Sequence, residues 1–232
     1  MIELNADIGE GGLDVLLVPH VSRVSIACGG HVGDANSMHA ALLLARQYGI
    51  KAGAHPSYPD PANFGRKAMQ ASAEEIAVWV EQQTRSLMMG AEALGIELFH
   101  VKPHGALYNQ AAINRETAAG VIAAVKKLRL SLVALAGSPL VAWAREVGVV
   151  VLEEAFADRR YLSSGQLAPR AMADAVIHDP AGAAGQALAI AQGKPIRSLD
   201  GGSLLLRADT LCLHGDEAGA AARACAVAHA LG

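Results

Sequence analysis

Leu98-Phe99-His100-Val101-Lys102-Pro103-His104-Gly105 is the stretch whose reading decides the fold. Residues 98–102 read as a short strand, and Pro103 ends it. Its ring fixes φ, removes a backbone donor and holds Lys102 extended. Lys102 and His104 lie two apart in extended chain and so face the same way. Gly105 then permits close approach of backbone or ligand. The same unit, a strand closing on polar side chains, recurs along the chain. Ile2–Ala6 runs into Asp7, Gly9 and Glu10. Val24–Ala27 runs into Cys28, Gly29, Gly30, His31 and Asp34, and Lys51–Ala54 into His55 and Pro56. Val149–Glu153 is followed by Glu154, Asp158, Arg159 and Arg160, and Thr210–Leu213 by His214, Gly215 and Asp216. Ser131–Leu135 completes seven strands.

Helical runs separate these strands: Ala35–Tyr48, Ser72–Gly95, Arg115–Leu128, Pro139–Val147, Ala181–Gln192 and Glu217–Leu231. Ser72 with Glu75 three residues on is a capping box, Gly95 a stop signal, and Pro139 a first-turn proline. Strands alternating with helices imply a parallel sheet with right-handed crossovers. Periodicity leaves a closed barrel and an open doubly wound sheet both standing. In either, the carboxyl ends of the strands share one face, where active sites form. Four histidines, His31, His55, His104 and His214, therefore converge from four strands. A structural role gives them no reason to choose the same end each time. Asp34 and Asp216 also suit helix N-caps, and Glu154 and Arg160 suit surface ion pairs.

The bulk of the sequence excludes several classes. The 232 residues suit one α/β barrel domain spanning 1–232, with no repeat, linker or break in composition. Hydrophobic residues make up 52% and aromatics only 4%, so close helix packing is favoured over disorder. A net charge of −3 without a basic stripe gives no footprint for nucleic acid. No apolar run spans a bilayer, and acidic residues at positions 3 and 7 speak against a targeting peptide. Cys28, Cys212 and Cys225 make no C-x-x-C pair, which fits a reducing cytoplasm. The phosphate-loop, dinucleotide, H-E-x-x-H and G-x-S-x-G motifs are missing, so ATP, if used, does not bind through a Walker site here.

Seven ordered segments carry a resemblance. They are residues 4–10, 26–34, 53–56, 64–66, Val101-Lys102-Pro103-His104-Gly105-Ala106-Leu107-Tyr108-Asn109, 156–161 and His214-Gly215-Asp216. Together they resemble the LamB/YcsF family from residue 2 to about residue 216, with the Lys102–Asn109 string the most specific. The chain departs from the family pattern at Gly30, where Phe is usual, at Ser25, where Asn is usual, and at Asn63 and Lys67 around Phe64-Gly65-Arg66. The glycine-rich stretch after Glu10 is also shortened. The resemblance implies an irregular seven-stranded β/α barrel like that of sugar and polysaccharide deacetylases. It also implies service as the A subunit of a 5-oxoprolinase, which opens 5-oxo-L-proline to L-glutamate with conversion of ATP to ADP and phosphate. Two partner subunits, B and C, follow from that, and homo-oligomerisation is left open.

Such chemistry needs cations near a phosphoryl group, a base for water and an acid for the leaving nitrogen. The expected catalytic set is Asp7, His55, Lys102, His104 and Asp158, with Lys102 as the first choice of phosphoryl or oxyanion cation and Arg66 and Arg159 next. Asn5, Glu10, Cys28, His31, Arg66, Asn109, Arg159 and His214 are expected around the substrate. A divalent metal is left open, with Asp7, His31 and His55 as its expected ligands. Two other readings stand beside this one. The first is a metal-dependent amide or N-acetyl hydrolase without ATP, and the second a non-catalytic metabolite-binding subunit.

Overall fold

The computed structural model describes residues 2–215 and 219–232. Its strands are β1 (Glu3–Ile8), β2 (Arg23–Ala27), β3 (Lys51–His55), β4 (Leu98–Val101), β5 (Ser131–Leu135), β6 (Val151–Phe156), β7 (Ile196–Arg197), β8 (Ser203–Leu204) and β9 (Thr210–Leu213). All but β7 and β8 are parallel and close a seven-stranded barrel, with β9 bridging β6 and β1. β7 and β8 form a separate antiparallel ribbon. Closure through β9 decides the point that periodicity left open.

The helices are α1 (Asp14–Leu17), α2 (Ala35–Gln47), α3 (Ala73–Ala93), α4 (Gly105–Ile113), α5 (Arg115–Leu128), α6 (Pro139–Glu146), α7 (Pro180–Ala191) and α8 (Ala220–Leu231). Asp34 caps α2 by accepting from the Asn36 and Ser37 amides, and Ser72 with Glu75 forms the expected box on α3. The expectations for Asp216 as a cap and Glu217 as the start of the last helix fall outside the described residues. No helix among the described residues is long and apolar enough to cross a membrane.

Two differences from the sequence reading matter for function. β6 begins at Val151 and runs to Phe156, not from Val149 to Glu153. Val149 and Val150 link the turn after α6 to the strand, and Val150 is 67% exposed. Glu154 is consequently a mid-strand residue, wholly buried, and the expected surface pair is corrected: it faces the barrel interior. The second difference is α4, which has no counterpart among the helical runs of the sequence. It is short and buried on most sides, through Ala106, Leu107, Tyr108, Ala111 and Ala112, so it carries no amphipathic stripe.

The strands pack apolar residues outward against the helices, as Leu4, Ala6 and Ile8 do on β1. Much of what faces inward is polar. At the amino end, the buried His100 ring meets the Arg23 guanidinium at 3.2 Å and Ser25 Oγ at 3.1 Å, and Arg23 pairs with Glu3 at 2.8 Å. The His100 ring takes up the space that a side chain at Gly53 would fill, and the β3–β4 register slips there. Burial holds His100 well below the usual histidine range.

Candidate active site

The carboxyl ends of the strands open into a cavity of about 450 Å³. Its floor is an ion cluster centred on Lys102. The ammonium lies 2.9 Å from Asp7 Oδ1 and 2.8 Å from Glu154 Oε1, and donates to Cys212 Sγ at 3.1 Å and, more weakly, to Asn5 Oδ1 at 3.4 Å. Tyr108 of α4 donates its hydroxyl to Glu154 at 2.9 Å. One cation thus faces two buried carboxylates, and these separate in acidity. Burial works to raise Asp7, but its basic neighbours, His55 and then the Lys102 ammonium, outweigh it and hold Asp7 below its ordinary range. For Glu154 burial wins and its pKa is raised, only partly offset by Lys102. For Lys102 itself the carboxylates, Asp7 foremost, overcome burial and keep the ammonium protonated.

Beside this floor stands a group of imidazoles around Glu10. Glu10 Oε1 lies 2.7 Å from His31 Nε2, 3.2 Å from His104 Nδ1 and 3.6 Å from His55 Nε2. His55 Nε2 and His104 Nδ1 are 3.0 Å apart, and the rings of His31 and His104 stack at 3.7 Å. Burial pushes His55 down to about 3, keeping the ring neutral despite Asp7 beside it. The group is held by a tight crossing of chains. Gly105 has φ +56°, and a Cβ there would lie 2.6 Å from the Gly65 carbonyl oxygen. Only glycine lets the Phe64–Arg66 loop press onto His104.

A third set sits across the cavity. The buried carboxylate of Asp158 accepts from the His214 amide at 2.9 Å and pairs with His214 Nδ1 at 2.9 Å. With Nδ1 donating to Asp158, Nε2 carries the lone pair. Phe156 stacks on the other side of the ring at 5.5 Å. Arg66, Asn109, Arg159, Gln166 and Arg170 line the upper wall, where Arg159 is steadied by the Ala168 carbonyl at 2.6 Å.

The family model described as LamB/YcsF matches residues 2–232. The chain belongs to the LamB/YcsF family. A relative from Heliobacterium modesticaldum, named as the A subunit of 5-oxoprolinase, is 47% identical over 221 residues, covering 92% of this chain and 87% of that one. The crystal structure of a lactam utilization protein from Thermus thermophilus superposes with a TM-score of 0.92 at 43% identity, covering 99% of this chain and 95% of that one. A family 4 carbohydrate esterase from Streptomyces lividans, solved with acetate, shares the fold alone, with a TM-score of 0.50 and 12% identity over 99% of this chain and 86% of that one.

Within this LamB/YcsF barrel, Asp7, Glu10, His55, Arg66, Lys102, His104, Asn109, Arg159 and His214 line the cavity, as the sequence suggested. Four expected residues do not. Asn5 lies under the floor, donating to Thr210 Oγ1 at 2.9 Å. Asp158 and His31 stand behind His214 and Glu10. Cys28 is buried away from the cavity, with its thiol pushed up to about 12 by burial, so it offers neither a nucleophile nor a substrate contact. Of the expected trio Asp7, His31 and His55, the structure groups His31 and His55 with Glu10 and His104, and Asp7 with Cys212 and His214. Sequence reasoning missed Glu154, Tyr108, Cys212 and Arg170. For Glu154, an alternation count from Phe156 back along β6 would have turned it inward. The two family departures Ser25 and Gly30 leave the cavity wall untouched. Ser25 contacts His100 below it, and the Gln83 amide occupies the space beside Gly30.

Proposed function

We propose that this chain is the A subunit of an ATP-dependent 5-oxoprolinase and opens 5-oxo-L-proline to L-glutamate together with B and C subunits. The observation that carries this reading is near-full-length kinship, at 47% identity, with a protein named as the 5-oxoprolinase A subunit. The cavity chemistry is consistent with it. A lactam is a poor electrophile because ring opening must break amide resonance. Transfer of the ATP γ-phosphoryl to the lactam oxygen turns that oxygen into a leaving group. One water then attacks the ring carbon, the C–N bond breaks toward a protonated nitrogen, and a second water hydrolyses the resulting acyl phosphate.

His214 is the base in this scheme. Asp158 fixes its tautomer and stabilises the imidazolium that forms on proton uptake. The imidazolium of His214 then returns that proton to the ring nitrogen as the C–N bond opens. Lys102 takes a different part from the one first expected. Its charge is committed to Asp7 and Glu154, so it positions an ionised Asp7 at the floor, and phosphoryl charge falls to Arg66, Arg159 and Arg170 on the wall. ATP enters on a partner subunit, and the assembly works in the cytoplasm.

The test is incubation of the purified chain, alone and with the B and C proteins, with 5-oxoproline and ATP. Equal amounts of glutamate and phosphate from the assembly, and almost none from the chain alone, are expected. Glutamate release by the chain without ATP would favour a simple amide hydrolase, and ligand binding without turnover in any assembly would favour a binding subunit.

A further inference from the structure

Glu10, His31, His55 and His104 point their donor atoms at one place, and the tautomers of two rings can be worked out from their outer contacts. His55 Nδ1 lies 2.8 Å from the Lys102 carbonyl oxygen, and His104 Nε2 lies 3.0 Å from the Phe64 carbonyl oxygen. A carbonyl only accepts, so each of these nitrogens carries the hydrogen. The inner nitrogens, His55 Nε2 and His104 Nδ1, therefore present lone pairs to each other across 3.0 Å. Glu10 Oε1, a third acceptor, faces both. Three acceptors thus meet with no hydrogen between the imidazoles. A single proton bridges one pair and leaves the rest opposed, whereas a cation satisfies all of them. Lys102 does not fill that place, because Asp7 and Glu154 already engage it.

We infer that Glu10, His31, His55 and His104 bind one divalent transition-metal ion of the zinc class. Donors around a tetrahedral ion with bonds of ~2.0–2.1 Å sit about 3.3–3.4 Å apart. The separations here, 2.7, 3.0, 3.2 and 3.6 Å, bracket that value. Three imidazoles and one carboxylate suit zinc, cobalt or nickel and not magnesium or calcium, which take oxygen donors. The outer N–H groups of His55 and His104 are held by backbone carbonyls, the arrangement that fixes ring orientation in metal-binding histidines. Asp7 is left out because Lys102 holds both its oxygens, at 2.9 and 3.1 Å. Glu10, His55 and His104 line the cavity, so the ion is reachable from it.

The inference stands apart from the proposed reaction, and its test reads metal, not turnover. The full chain is stripped with chelator, checked for folding by circular dichroism, and titrated with Zn²⁺ and with Co²⁺. One ion per chain, a raised melting temperature and the intense visible bands of four-coordinate cobalt are expected. His104→Ala and Glu10→Gln should each weaken zinc binding by more than the ~10–100-fold that loss of an outer partner costs. His39→Ala, on the exposed face of α2, should leave it unchanged. Stoichiometry well below one, or binding undiminished in the folded Glu10→Gln chain, would overturn the site while leaving the 5-oxoproline reading intact.

Discussion

The Lys102 cluster and the Glu10 cluster lie side by side at one barrel end, and they manage charge in opposite ways. Around Lys102 a cation, two carboxylates, a thiol and a tyrosine hydroxyl complete one another, and the pair with Glu154 is closed to solvent. Around Glu10 the facing imidazole nitrogens of His55 and His104 and the carboxylate oxygen are acceptors, and the cluster lines the cavity. The first arrangement fixes geometry; the second is built to take something up. Lysine, glutamate and histidine are all chemistry-bearing residue types, so type alone does not separate a brace from a binding site. The fate of each lone pair and each charge does.

The largest effect should come from breaking the closed cluster. Lys102→Met leaves Asp7 and Glu154 buried without a counter-charge, a loss of about 3–5 kcal/mol in unfolding free energy. Adding Glu154→Gln to Lys102→Met should recover part of it. Denaturant titration checks both, and a Lys102→Met chain as stable as the parent would dissolve the contrast between the two clusters. Next in size is the proton-transfer side of the cavity. His214→Asn should keep the fold by circular dichroism but lower turnover of the reconstituted assembly by ~10²–10⁴-fold. Near-normal turnover would move the base elsewhere, into the Glu10 cluster.

Smaller effects probe the layer under the Lys102 cluster. Gly53→Ala forces a methyl into the His100 ring and should cost about 1–3 kcal/mol, read again by denaturant titration. His100→Asn carries a pH signature. In the folded chain His100 titrates well below 6.5, so as pH drops beneath that value the unfolded chain binds a proton that the folded one refuses. Stability in the parent therefore falls as pH decreases from about 6.5. The Asn variant, with nothing to titrate, should fall less steeply over the same range. Parallel slopes would mean that His100 is protonated in the folded chain through its contact with Ser25.

Much of the architecture was legible in the linear chain. Ser131–Leu135, Thr210–Leu213 and Arg115–Leu128 have the bounds their patterns predict, because strand and helix periods and turn residues are local properties. The gathering of His55, His104, His214, Asp7 and Lys102 at one end follows from strand direction and was equally readable. The sequence by itself thus determined that these five reach the cavity end. Only the tertiary structure decided which of them touch. Closure of the sheet through β9 brings Cys212 against Lys102 from 110 positions away, and inward-facing Glu154 reaches it from β6. The Phe64 carbonyl meets His104 only where the loop crosses at Gly65 and Gly105. Lone-pair direction and charge pairing depend on contacts between strands far apart in the chain. No local pattern encodes them, so Lys102 read as an open cation until its two carboxylates were in place around it.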